Sequence, residues 1–157
     1  GTPVPLVIIG DASGSEYRDN LWARQSSTVR FVGYQYGRTY EQLLANSMMY
    51  VSASSLEGTS PSLLSAMSAG RCCLVNGIPE NVQTAGDSVA MFRQDDWRDL
   101  ASRWRALAHD AVARQTVAES GKRHQRRYYD WDAIASQYLQ EFQASAQAGV
   151  DETKRGS

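Results

Sequence analysis

Short apolar runs alternate with segments of helical spacing over the first 92 residues of the chain. Each run is bounded by turn-forming residues and is too short for a helix, which is typical of strands buried on both faces. These runs predict strands at residues 5–10, 28–34, 48–53, 72–76 and 88–92. The remaining periodic segments predict helices at residues 18–25, 39–47, 61–69, 79–85, 96–109, 111–120 and 131–146. The alternation therefore predicts an α/β fold, with a doubly wound, mostly parallel sheet of about five strands and several C-terminal helices.

Length, charge and cysteine content narrow the classes of protein to consider. The 157 residues fit one domain, which we assign to residues 1–147, followed by a disordered tail at 148–157. A net charge of −1 and a pI near 6.1 argue against nucleic-acid binding. The sequence contains no membrane-spanning apolar stretch and no recognisable signal peptide. Cys72 and Cys73 are neighbours in a predicted strand and point to opposite faces, so we expect buried free thiols and a cytoplasmic protein.

The segment from Glu57 to Gly70 indicates a function. A predicted strand at 48–53 leads into a polar turn, after which Ser60 is a favourable N-cap and Pro61 suits the first helical position. Free backbone amides and the positive end of the helix dipole then form a binding site for an anion such as phosphate. Glu57, at the edge of this turn, is suited to accept hydrogen bonds from hydroxyl groups. A site that takes both phosphate and a polyol fits a nucleotide sugar.

The same segment resembles the donor-binding motif of retaining GT-B glycosyltransferases of family 4, which reads E-G-F-G-x-x-x-L-E-A-M-A-x-G. The matching residues are Glu57, Gly58, Leu64, Ala66, Met67 and Gly70. Three further segments, at residues 29–34, 77–80 and 129–131, resemble the strand ending in F-x-G, the G-x-P-E turn and the closing aromatic segment of this family. The resemblance extends from about residue 6 to about residue 142 and implies the Rossmann-like, donor-binding C-terminal lobe of such an enzyme.

The resemblance also implies roles for individual residues. Glu57 would be the catalytic residue that orients the donor sugar through its hydroxyls. Residues that would bind the donor sugar and diphosphate are Gly58, Thr59, Ser60, Ser62 and Leu63. Residues that would contact the nucleotide are Gly33, Tyr34, Ser65 and Glu80. Thr59, Ser60 and Ser65 depart from the motif, and Ser65 replaces a glutamate that typically holds the ribose hydroxyls in the family.

The implied reaction transfers a hexosyl group from a nucleotide-diphosphate sugar to a glycan or lipid-linked acceptor, as in polysaccharide biosynthesis. The family retains the configuration at the anomeric carbon and uses neither a metal nor a cofactor. The helix that begins after Ser60 would stabilise charge on the leaving diphosphate. The D-x-D pattern of Asp130 and Asp132 does not contradict this expectation, because it begins a predicted helix, where Asp130 serves as an N-cap.

Two parts of the resembled fold are missing from the sequence. A strand–helix unit with a basic Arg–Lys pair would precede Pro5, and an acceptor-binding lobe would precede that unit. We therefore expect a fragment of a longer enzyme, inactive by itself, whose partner is the N-terminal lobe of the same protein. Exposed sheet edges favour homo-oligomerisation. The basic run at 122–127 leaves peripheral contact with a membrane surface open, although a solvated face is the simpler interpretation.

Other interpretations of these residues remain open. Glu57 and Glu80 would also serve as ordinary acids near helix starts, and Ser60 and Ser62 as plain capping residues. Ser65 and the missing basic pair fit a non-catalytic nucleotide-binding module. A sugar-nucleotide epimerase with the same two-lobe fold and a protein-interaction scaffold are the remaining alternatives.

Overall fold

The computed structural model describes residues 4–10 and 16–155, with side chains up to residue 145. It divides into two compact units, Gly1–Asn46 and Ser47–Ser157, where the sequence predicted one domain over 1–147. Unit 1 contains β1 (Leu6–Ile8), α1 (Glu16–Trp22), β2 (Val29–Phe31) and α2 (Gly37–Ala45). Unit 2 contains β3 (Met49–Ser52), α3 (Pro61–Ser68), β4 (Cys72–Asn76), α4 (Pro79–Ala85), a 3-10 turn (Gly86–Ser88), β5 (Ala90–Phe92), α5 (Trp97–His109), α6 (Ala111–Tyr128) and α7 (Trp131–Arg155).

The predicted α/β fold and its five parallel strands are confirmed, and the strands form two sheets. In unit 1, β1 pairs with β2, with Leu6 opposite Val29. In unit 2, β4 lies between β3 and β5, with Met49 opposite Cys72 and Leu74 opposite Ala90. The three strands of unit 2 follow one another in chain order, so the winding does not reverse within this sheet. All three end at one edge, which we call the carboxyl edge.

The core of unit 2 surrounds β4, because this central strand is covered on both faces. All five of its residues are buried, and Leu63 and Met67 of α3 pack with exposed fractions of 1% and 0%. Cys72 and Cys73 are buried free thiols, as predicted. Burial raises the pKa of Cys73 to about 12, with the neighbouring Cys72 as a smaller cause, so this thiol stays protonated and unreactive at neutral pH.

Helix α6 is longer than the sequence predicted. The prediction ended at residue 120, whereas α6 continues through Gly121, a residue of low helix propensity, to Tyr128. Gly121 is buried, and a Cβ atom there would lie 3.4 Å from Cγ of Met67 and 3.5 Å from the carbonyl oxygen of Ser88. The glycine therefore allows α6 to approach α3 closely, and packing outweighs its low helix propensity.

Helix α7 runs to Arg155, although the sequence predicted a disordered tail over residues 148–157. Residues 148–155 are helical, and 156–157 lie outside the described residues. This stretch contains no proline, and its charged residues, such as Glu152 and Lys154, are good helix formers that extend the helix past Gly149. The tail prediction depended on the absence of apolar periodicity, which does not prevent a helix where local propensity favours one.

Candidate functional site

The turn between β3 and α3 is the candidate site, and it is held by the start of the helix. Ser60 is the N-cap of α3, as predicted, and is buried, with 4% of its surface exposed. Its Oγ accepts the amide of Leu63 at 3.5 Å, which is long for a capping hydrogen bond. Its carbonyl accepts the amide of Leu64 at 3.1 Å, the first regular bond of the helix. Pro61 occupies the first helical position, where the missing N–H costs nothing.

A chain of three hydroxyl groups connects this helix start to strand β3. Tyr50 of β3 lies 2.9 Å from Ser62 through its phenol oxygen, and Ser62 Oγ lies 3.0 Å from Ser60 Oγ. Each of these hydroxyls can donate or accept, so the chain connects the strand to the first turn of α3 in either direction. The hydroxyl groups of Ser60 and Ser62 therefore hold the first turn of α3 in place.

The backbone amides around the helix start are the chemically distinctive feature. Within the described part of the chain, the amides of Gly58, Thr59, Ser60 and Ser62 donate to no protein acceptor. Gly58 and Thr59 are exposed, so the turn is not covered by other elements. A Cβ atom at Gly58 would have no heavy atom within 4 Å. Clustered amides at a helix N-terminus, with open space beside a glycine, can bind an anionic group such as a phosphate.

Glu57 precedes these amides directly in the chain. It is half-buried, and no described residue forms a hydrogen bond or ion pair with its carboxylate. Its two oxygen atoms therefore remain available as acceptors for hydroxyl donors. The turn thus combines donors for an anion with one acceptor group, and the binding roles of these residues stay predictions.

The side chains of two predicted binding residues, Leu63 and Ser65, are differently placed. Leu63 is 1% exposed, so its side chain belongs to the core and only its backbone faces the helix start. Ser65 is exposed, and its Oγ donates to the carbonyl of Pro61 at 2.8 Å, one turn earlier in the helix. Such a bond is common for serine within helices and leaves the hydroxyl oxygen with acceptor capacity.

The predicted nucleotide-contacting residues are divided between the two units. Gly33 and Tyr34 follow β2 in unit 1; Gly33 has a φ of +65°, and Tyr34 is 60% exposed and stacks on Tyr36 at 6.1 Å between ring centroids. Glu80 lies in unit 2 as an acid in the first turn of α4, half-buried. The structure therefore brings Glu80 and the β3–α3 turn to the carboxyl edge of one sheet, and the nucleotide roles stay predictions.

Asn76, at the end of β4, is a residue of this edge that the sequence analysis missed. Its side chain is buried and bonds both the backbone of Ser54, in the β3–α3 turn, and Asp95, in the loop after β5. These contacts join residues 22 and 19 positions apart in the chain, so no local pattern in the sequence indicates them.

A shallow cleft lies elsewhere on unit 2, near the other end of α3. It has a volume of about 370 Å³ and is lined by Ser68, Lys122, Gln125, Arg126, Tyr129, Asp130, Trp131 and Asp132. Its lining mixes charges of both signs, and its acids include the N-cap Asp130, whose Oδ1 accepts the amide of Ala133 at 2.9 Å, as the sequence predicted. The free amides of the β3–α3 turn are better evidence for a site than the size of this open cleft.

Comparison with known proteins identifies the family of the chain. Residues 2–110 match the sequence profile of the family Glycosyl transferases group 1, a range that covers more than half of the chain and contains the whole candidate turn. The chain belongs to the group 1 glycosyltransferases. This membership confirms the family that the Glu57–Gly70 motif predicted.

Relatives of this glycosyltransferase chain are considerably longer. The sulfoquinovosyl transferase of Arabidopsis thaliana is 25% identical over 146 residues, which are 90% of this chain and 28% of that protein. The sucrose-phosphate synthase of Thermosynechococcus elongatus has a TM-score of 0.78 at 17% identity, over 91% of this chain and 39% of the other. The HepE protein of Anabaena, in complex with UDP-glucose, has a TM-score of 0.78 at 16% identity, over 90% of this chain and 41% of the other.

These structural likenesses establish the fold of the glycosyltransferase chain. The matched portion, about two fifths of each solved structure, agrees with the predicted single lobe of a GT-B enzyme. In the part of the chain that the structure describes, no helix is both long and apolar enough to cross a bilayer.

Proposed function

We propose that this chain is the donor-binding part of a retaining glycosyltransferase, which takes a sugar from a nucleotide diphosphate to a glycan or lipid-linked acceptor. Family membership supports sugar transfer, and the geometry of the β3–α3 turn supports its assignment to the donor side. The partial coverage of longer relatives supports the further expectation that this chain by itself does not catalyse transfer.

The observation that carries this proposal is the group of unbonded amides at Gly58, Thr59, Ser60 and Ser62. A diphosphate that accepts these N–H groups is stabilised by them and by the dipole of α3. Because negative charge grows on the diphosphate as it leaves the sugar, donors already fixed in position stabilise the transition state more than the bound substrate. The first turn of α3 would therefore act in catalysis as well as in binding.

Glu57 would orient the donor sugar by accepting hydrogen bonds from its hydroxyls. Its carboxylate has no competing partner among the described residues, and it adjoins the amides that would hold the diphosphate. Two fixed attachment points, one on the diphosphate and one on the sugar, would set the angle of the bond that breaks. We propose that this arrangement works without a resident metal.

A uridine nucleotide is the first donor to test, because the structurally similar HepE protein was solved with UDP-glucose. The experiment is a calorimetric titration of the full-length protein, wild type and Glu57→Gln, with UDP and with UDP-glucose. Glutamine keeps the size of the side chain and one carbonyl oxygen but loses the charge. We expect the UDP affinity to change by less than about threefold and the UDP-glucose affinity to fall on the order of tenfold.

The comparison of the two ligands separates the two parts of the proposal. An equal change in affinity for UDP and UDP-glucose would remove Glu57 from the sugar site, because the sugar would then add nothing to the loss. If neither ligand binds, the same titration with GDP- and ADP-sugars decides whether the site takes any nucleotide sugar. Product analysis by NMR of the anomeric proton then tests retention in the full-length enzyme.

A non-catalytic nucleotide-binding module is the second candidate function. Ser65 supports it, because its hydroxyl donates to Pro61 and offers no charged acceptor for the ribose. Such a module would bind nucleotide sugar without turnover. Measurable product formation by the full-length protein would exclude it.

A further inference from the structure

Asn76 uses every hydrogen-bonding atom of its side chain to hold the carboxyl edge together. Its Nδ2 donates to the carbonyl oxygen of Ser54 at 3.1 Å and to Oδ1 of Asp95 at 2.8 Å. Its Oδ1 accepts the backbone amide of Asp95 at 3.0 Å. The residue is only 1% exposed, so water does not compete for these bonds. One buried amide therefore connects the end of β4 with the loops that follow β3 and β5.

The backbone of Asp95 depends on this connection. Asp95 has a φ of 56°, the left-handed region that costs a residue with a Cβ atom free energy. Its amide and its carboxylate both bond to the same side chain, that of Asn76, which fixes the conformation from two directions. Asp95 itself is exposed, so no core packing holds it there.

The bond to Ser54 connects the end of β4 to the candidate site. Ser54 comes three residues before Glu57 in the β3–α3 turn, and its Oγ donates to the carbonyl of Leu56 at 2.9 Å. The chain from Asn76 through Ser54 to Leu56 therefore reaches the residue next to Glu57. The far end of the same turn is fixed independently by the hydroxyl groups of Ser60 and Ser62.

The carbonyl of Asn76 completes the connection on its other side. It accepts Nδ2 of Asn81, in α4, at 2.9 Å, and Asn81 is itself 2% exposed. The side chain of Asn76 thus holds the loops that leave β3 and β5, and its backbone carbonyl holds α4.

We propose that Asn76 is a positioning residue for the donor site. Its bond to Ser54 holds the Glu57 end of the β3–α3 turn in place. This inference rests on the proposed function for its effect on ligand binding. Its structural part concerns the free protein and does not depend on any ligand.

The test uses two variants that separate the bond to Ser54 from the bonds to Asp95. Asn76→Asp loses the donor to Ser54 and brings a second carboxylate against Asp95. The double variant Asn76→Asp with Asp95→Asn restores one amide facing one carboxylate, and an acceptor for the backbone amide at position 95, but still has no donor for the Ser54 carbonyl. Leu107→Val, a change in the core cluster of β4 and α5, serves as a control of similar thermal destabilisation.

Two measurements on the full-length protein distinguish positioning from plain stability. Nitrogen-15 order parameters of Gly58 and Thr59 report the rigidity of the turn without ligand. Calorimetry with UDP reports its effect on binding. We expect the double variant to regain most of the lost Tm, while its order parameters stay below wild type and its UDP affinity stays lower on the order of tenfold. Leu107→Val should lower the Tm and leave both readouts unchanged.

The other outcomes separate the positioning role from the proposed function. If the double variant restores the order parameters and the affinity, the Ser54 bond does not position the turn, and the proposal is wrong. If Asn76→Asp does not fold, the double variant against wild type still isolates the Ser54 bond. If wild type binds no nucleotide, the proposed function fails, while unchanged order parameters in the double variant remain the result that refutes the positioning role.

Discussion

The two ends of helix α3 differ in how far the protein satisfies their backbone hydrogen-bonding groups. At the C-terminal end, Gly70 donates to the carbonyl of Met67 at 3.0 Å and Arg71 donates to that of Ala66 at 3.0 Å, with Gly70 at a φ of +65°. This is a Schellman motif, which satisfies the last carbonyls of a helix within the chain. The guanidinium of Arg71 adds a bond to the carbonyl of Ala69 at 3.2 Å.

The N-terminal end lacks this completeness. Its cap is a single long contact from Ser60, and the amides of Gly58, Thr59 and Ser62 find no acceptor in the described residues. Both ends belong to the same eight-residue helix, so the difference does not come from helix length. A helix end that the protein leaves unsatisfied and exposed is the one at which a ligand contributes most.

Met67→Ala should have the largest effect on stability, because both ends of α3 depend on the buried face to which Met67 belongs. Met67 is 0% exposed and packs against Gly121, so the substitution leaves a cavity that costs about 2–5 kcal/mol of the free energy of unfolding. Urea denaturation measures this loss, with Ser68→Ala, at the next and exposed position, as a control near zero. A loss below about 1 kcal/mol would show that the site collapses to fill the cavity, and that the ends do not rest on a rigid core.

Gly70→Ala should act on the completed end alone. The new methyl group has room, since the nearest atom, Cδ of Lys122, lies 3.6 Å away, but the φ of +65° costs about 1–2 kcal/mol for a residue with a Cβ atom. Thermal unfolding measures the loss, and UDP affinity of the folded protein should not change. Gly70→Asn is the matched control, because asparagine tolerates the left-handed region better and should recover part of the stability.

Gly58→Ala should have the smallest effect on stability, and its effect should appear in binding. No positive φ requires a glycine at this position, and no atom lies within 4 Å of the added Cβ, so the free energy of unfolding should change by less than about 0.5 kcal/mol. A diphosphate on the amides would meet this methyl group, and we expect the UDP affinity to fall on the order of tenfold. An unchanged affinity in calorimetry would place any phosphate away from this turn.

Local sequence signals were sufficient for most of unit 2. The ranges predicted for β4 and α4 are those observed, and α3 differs by one residue, because Pro61, Pro79 and the fully apolar run before Asn76 mark their boundaries chemically. The cap at Ser60 was equally predictable, since its hydrogen bond joins Ser60 to Leu63, only three residues later. The end of α6 was not, because a glycine that breaks an isolated helix also allows close packing, and only the contact with Met67 decides between them.

The candidate site shows the same limit. The amides at Gly58 and Thr59 follow from a motif, because a strand, a turn and a helix start in order produce them. The support beneath them does not, because Asn76 meets Ser54 and Asp95 only after three strands have aligned. Asparagine at the end of a strand has no preferred partner in the sequence, and its contacts depend on the register of the sheet.

Gly77 is a position of the carboxyl edge at which the structure accepts no side chain. Its amide bonds to the carbonyl oxygen of Phe92 at 2.9 Å, and a Cβ atom there would approach that oxygen to 2.8 Å, closer than real side chains come. The backbones of two neighbouring loops therefore meet at a point where no side chain fits. A library that aims to alter ligand preference should hold this position constant and diversify exposed neighbours such as Thr59 and Pro79, where new side chains meet solvent rather than main chain.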